Sequence, residues 1–166
     1  KYNNNSISAV TSAASIPNAA MTHIKTLTAS SSSTLSFVDG SSDVVLDNTY
    51  PIYLFKFINV HCATDDTQFQ FNMSTDSGSN YNVTKTSTFF LAQHSENDDT
   101  AQLAYNDSHD LAQGTGFQTI ALAQGNANDE SISGELWLFG LSSTTFIKHF
   151  MSNVNNVAYV DRSFNN

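Results

Sequence analysis

Ile52-Tyr-Leu-Phe-Lys-Phe-Ile-Asn-Val60 decides the fold. In an extended chain it places Ile52, Leu54, Ile58 and Val60 on one face and Tyr53, Phe55 and Phe57 on the other. A short run dense in β-branched and aromatic residues, apolar on both faces, predicts a strand from the middle of a packed sheet, with Lys56 near an edge of the pattern or paired.

The segments on either side carry the same signature. Thr67 to Met73 sets Phe69, Phe71 and Met73 against Gln68, Gln70 and Asn72, the alternation of a half-buried strand. Asp76-Ser-Gly-Ser-Asn80 supplies a turn, and Tyr81 to Ala92 predicts a returning strand, so that the two form a hairpin. Ser95 to Asp110 is acidic, with Leu103 and Tyr105 as its main apolar residues, and reads as a surface loop holding one short strand. Phe117 to Leu122 is a further strand, and Gln124 to Asp129 a turn. Ile132, Gly134, Leu136 and Leu138 alternate with Ser133, Glu135, Trp137 and Phe139, and Thr144 to Met151 is the expected partner across Leu141-Ser-Ser143. At least seven short strands with almost no helical periodicity predict an all-β domain, a β-sandwich of jelly-roll type.

That domain is expected over residues 23–166. Residues 1–22 are rich in Ser, Asn and Ala, and Pro17 breaks any helix there. They read as an extended N-terminal arm with Ile7, Val10 and Ile16 as its assembly contacts.

With 166 residues, 40% hydrophobic, the chain is sized for one domain with a core. Its polar surface is built from neutral groups: 58 residues are Ser, Thr or Asn, whereas only 13% are charged. A net charge of -9 argues against nucleic acid as a partner, which requires clustered cations, and against a basic membrane-docking face. No apolar run approaches the length of a membrane span, so a soluble product is expected. Lys1 rather than Met opens the chain, which leaves both ends open. Cys62 stands alone and cannot form an intrachain disulfide.

Chemistry-bearing patterns are sparse. The five histidines form no recognised cluster, and His61-Cys62 lacks the third and fourth ligands that zinc needs. Asp76-x-Gly78-x-Asn80 resembles the start of a calcium loop, but Ser87 stands where the bidentate Glu belongs, so a turn is the better reading. His94, Glu96, Asp98 and Asp99 share a loop of the kind that is usually just solvated. There is no Gly-x-Ser-x-Gly elbow, and no spacing singles out a pair of glycosidase carboxylates. No catalytic residue, metal ligand or cofactor is therefore expected. Tyr105 and His109 are the expected exposed contacts for a surface glycan, and Trp137 is a further candidate that fits a core or subunit interface at least as well.

Three stretches resemble a family of marine tailed-bacteriophage virion proteins: Tyr53-Leu-Phe-Lys-Phe-Ile-Asn-Val-His-Cys-Ala-Thr-Asp65, Phe69 through Phe90, and Ser133-Gly-Glu-Leu-Trp-Leu-Phe139 through Lys148-His-Phe150. Together they cover most of residues 24–152, and the wording is most specific at 74–88. Departures fall at Cys62 and Leu141, where the pattern favours proline. The resemblance implies a structural protein of the virion, a tail-fibre or decoration component without catalytic residues, and a chain that continues past Asn166 with further strands. Residues and resemblance together lead to a non-enzymatic β-domain, expected as a homotrimer or other homo-oligomer bound to capsid or tail proteins. A carbohydrate-binding module using the loops at 93–110 and 124–130 is the alternative, and a hydrolase the least favoured reading.

Overall fold

The structure is a computed structural model that describes residues 21–166. The arm contacts expected at Ile7, Val10 and Ile16 lie outside those residues. Eight strands follow in chain order: β1 (Ile52–Val60), β2 (Thr67–Phe71), β3 (Phe90–Ser95), β4 (Ala101–Tyr105), β5 (Gln118–Gln124), β6 (Ile132–Phe139), β7 (His149–Ala158) and β8 (Arg162–Asn165). All their pairings are antiparallel, so the chain is all-β as its alternation predicts.

The main path runs β1-β6-β7-β8-β3-β4, while β5 pairs β2 and joins the β7 ladder only at Gln124 and Ala158. The β2–β5 pair turns back over the inner face of this path. Phe69 and Phe71 from β2 and Ile120 and Ala121 from β5 pack there on Ile132, Val154, Phe57 and Val60. A second cluster joins Tyr53, Leu136 and Leu138 to Ile24, Leu46 and Tyr50, so the irregular chain before β1 covers the rest of that face. A third, of Phe89, Leu91, Ala158 and Phe164, closes the β8–β3 end. The result is layered, though a six-strand path with a two-strand branch is not divided into the two four-stranded sheets of a jelly roll.

Gly134 is required where β6 meets β7. A Cβ at this position would fall 2.4 Å from the Asn153 carbonyl oxygen and 2.6 Å from the Val154 Cα. Buried Asn156 is satisfied on both sides of its amide: it donates from Nδ2 to the Leu122 carbonyl at 3.1 Å and accepts from Asn166 Nδ2 at 2.8 Å.

Several expectations need correction. β1 is an edge strand, paired among the described residues with β6 alone; its Tyr53/Phe55/Phe57 face turns inward, and of the opposite face only Val60, beyond the register break, joins it. The hairpin expected between 67–73 and 81–92 does not form. β2 pairs β5, and the strand in the second segment begins only at Phe90. Residues between turn and strand are drawn elsewhere: Lys85 exchanges backbone hydrogen bonds with Gly114, and Ser87 donates its N–H to Leu111. The partner of β6 begins at His149, not Thr144, and runs on to Ala158.

Candidate functional site

Register places every residue of the outer face. Opposite Ile52 lies Phe139 and then His149; opposite Leu54 lie Trp137 and then Met151. These two rows are apolar apart from His149, and none of Ile52, Leu54, Trp137, Phe139 or Met151 belongs to a buried cluster. Met151 is 64% exposed and Ile52 46%. The loop between β6 and β7 adds Phe146 and Ile147, both largely in solvent. At the far end of the sheet the same face carries Phe90 opposite Tyr105 and Ala92 opposite Leu103. The Phe90 and Tyr105 rings meet edge to face at 5.2 Å.

Between these apolar ends lies a shallow depression of mixed character, where Lys56, Ser133, Glu135, Asn153 and Asn155 surround the apolar surface of Phe57 and Ile58. Lys56 and Glu135 stand directly opposite each other, so the charges here cancel on a chain that is otherwise strongly acidic. A face with apolar rows outside the buried clusters and with its central charges paired suits protein contact better than solvent.

The sequence candidates distribute as follows. Tyr105 is exposed as expected, and its hydroxyl donates to the Asp110 carboxylate. That bond, aided by the surrounding carboxylates, raises its pKa. Trp137 is half-buried on the outer face rather than in the core. His109 is not a free contact: its ring packs on Phe89 at 5.5 Å and its carbonyl accepts from Gln118 Nε2 at 3.0 Å. Sequence reasoning missed Phe90, Met151 and the Phe146-Ile147 pair. The signal was present in the two-sided apolarity of β1, which marks a second face needing cover.

Many acids serve the chain's own turns. Asp76 accepts from Ser74 Oγ at 2.6 Å, from Asn80 N at 2.8 Å and from Asn80 Nδ2 at 2.6 Å, bonds that bring its carboxyl down to about 2. Ser77 and Gly78 take positive φ in this turn, so the calcium-like motif is a self-satisfied loop. Asp65 accepts the Asn126 N–H at 2.9 Å, and buried Glu130 accepts that of Ala127 at 2.6 Å, which fixes the 124–130 loop. Among the described residues, no three His, Cys, Asp or Glu side chains converge as a metal site would need. A polar depression of about 340 Å³ lies between the β3–β4 and β7–β8 turns, lined by Glu96, Asn97, Asp99, Asp161 and Arg162. Cys62 is half-buried against the Ile120 cluster.

Among the described residues, Lys85 is the one buried cation. Its Nζ donates to Asn72 Oδ1 at 2.5 Å and to the Val83 carbonyl at 2.7 Å, and burial pushes its pKa down. It ties the 81–89 segment to the end of β2. Comparisons with family models, curated proteins and solved structures give no match to this chain.

Proposed function

We propose that this chain is a non-catalytic structural component of a phage virion, tail-fibre or tip associated, that works by homo-oligomeric assembly and by docking on neighbouring virion proteins. The particle assignment rests on the resemblance of the three stretches between Tyr53 and Phe150. The mode of action rests on one observation: the outer-face rows of Ile52, Leu54, Trp137, Phe139 and Met151 are apolar, belong to none of the buried clusters, and leave Ile52 and Met151 exposed. A buried core needs no such second face, whereas an interface does. The engagement of Asp65, Asp76 and Glu130 in turn hydrogen bonds also favours a structural over a hydrolytic role for these acids.

Immunogold labelling of intact particles tests the assignment. Label confined to the tail supports the tail reading. Label spread over the head supports capsid decoration instead, and particles without the chain overturn both.

The carbohydrate-binding reading keeps one specific support, the polar depression beside the β3–β4 turn, where Glu96 and Asp99 offer acceptors and Arg162 offers donors suited to a polyol. Host-surface contact through it is compatible with a tail location. Glycan-array binding lost on Tyr105→Ala or Trp137→Ala, or on Arg162→Ala, supports it; an array without signal overturns it.

A further inference from the structure

The two ends of the main sheet path are built differently. Among the described residues, β1 pairs only with β6 and β4 only with β3, so each has an open outer edge. Such an edge presents unpaired backbone N–H and C=O groups that template another strand, and proteins commonly blunt it with charge, bulges or twist. β1 carries these devices. Lys56 stands at its centre, its register breaks between Phe57 and Val60, and Asn59 within the break takes φ 50° and gives its N–H to the Ser133 hydroxyl.

β4 carries none of them. Ala101-Gln-Leu-Ala-Tyr105 pairs β3 residue for residue without a shift, holds no charge, glycine or proline, and has no positive φ. At its centre Leu103 is 79% exposed.

We propose that β4 is the contact through which a second copy of this chain joins, antiparallel about a two-fold axis at Leu103, so that two six-strand paths become one continuous sheet. This rests on the assembly reading above and adds to its outer face a second contact, the edge of β4, for copies of this chain. The strand is self-complementary under that operation. Leu103 meets Leu103 of the second copy, Ala101 meets Tyr105, and the apolar row of Ala92 and Leu103 continues across the axis.

Charge and area define the strength of this contact. The paired strands are uncharged at their centre, whereas Asp98 and Asp99 precede β4 and Asp107 follows it. Antiparallel pairing brings these ends together, so the copies repel at low salt and the contact tightens as salt is added. Phe90, Leu103 and Tyr105 are 57%, 79% and 49% exposed. At ~150–250 Å² for a whole aromatic side chain, they contribute a few hundred Å² per copy, less than the ~800 Å² per partner of a standard interface. The pair is therefore weak alone and becomes effective when copies are held close together on one particle.

Sedimentation velocity of the full chain over a range of concentration, at low and high salt, tests this. Wild type is expected to show a reversible dimer that strengthens with salt. Leu103→Lys, at an exposed position, should keep the circular dichroism spectrum and weaken the dimer by about tenfold or more, because like charges then face each other across the axis. Leu103→Met should leave it nearly unchanged. In a Cys62→Ala background, Leu103→Cys should cross-link to a covalent dimer on mild oxidation, since directly opposed strand positions lie within disulfide reach. A strictly monomeric chain at every concentration overturns both this proposal and the homo-oligomeric reading. Self-association that ignores Leu103→Lys, with no Leu103→Cys cross-link, overturns β4 as the contact and leaves the assembly reading standing.

Discussion

Phe90 and Tyr105 face each other across the β3–β4 ladder, edge to face at 5.2 Å, with roughly half of each side chain in solvent. An aromatic pair in the open contributes little to folding, so its place on the outer face is a matter of contact rather than core. Tyr105→Ala should cost no more than about 1 kcal/mol in urea unfolding, at the lower end for aromatic pairs. The same variant should lose most binding to any partner of that face, measured in parallel. A loss of several kcal/mol would instead make Tyr105 a core residue.

Gly134 is the reverse case, a half-buried position whose missing side chain is what the packing of β6 on β7 requires. Because a Cβ there meets the backbone of Asn153 and Val154, Gly134→Ala should destabilise the fold by ~1–3 kcal/mol, read as a lower denaturant midpoint at unchanged slope. An unaffected midpoint would show that β6 and β7 can separate at no cost.

Asp76 should titrate near 2 when followed by NMR. Its carboxyl is lowered by hydrogen bonds, so the turn gains from its ionised form above the ordinary value of 3.8, and that gain is lost as pH falls through about 2. Ser74→Ala removes the largest contributor and should bring the titration back toward 3.8. A wild-type value near 3.8 would contradict the bonded turn.

Lys85 gives the opposite end of the pH scale. Its amine is lowered from 10.5 by burial, so between its folded value and 10.5 the unfolded chain binds more protons and stability rises with pH. Tyr53, raised from 10.0 by its own burial, opposes this only above about 10. Denaturant midpoints followed as pH rises toward 10 should therefore climb in wild type and flatten in Lys85→Met. A flat wild-type profile would mean that Lys85 is not enclosed.

The strands with clean alternation were legible from sequence because each side of the pleat meets a different medium. Phe69 and Phe71 against Gln68 and Gln70, and Leu136 and Leu138 against Glu135, lie as the pattern requires. β1 misled for an instructive reason: apolar residues on both faces have the same pattern whether the second face meets core or a partner. Val83-Thr-Lys-Thr-Ser-Thr-Phe89 has strand propensity, yet Lys85 and Ser87 are bonded to Gly114 and Leu111, so tertiary contacts override it. The second half of β7 was hidden by Asn153, Asn155 and Asn156, a residue type depleted in strands. Asn156 is tolerated there because Leu122 and Asn166 satisfy its amide. Of the candidate contacts, the exposed setting of Tyr105 could be read from its acidic neighbourhood. The inward turn of His109 could not, because it depends on where Phe89 and Gln118 arrive from distant parts of the chain.

Cryo-electron microscopy of the intact particle, resolving side chains in this domain, tests the central claim most directly. The account predicts that Ile52, Leu54, Trp137 and Met151 are covered by another protein surface, from a further copy or a neighbouring component. The same four side chains facing bare solvent in every copy would contradict it.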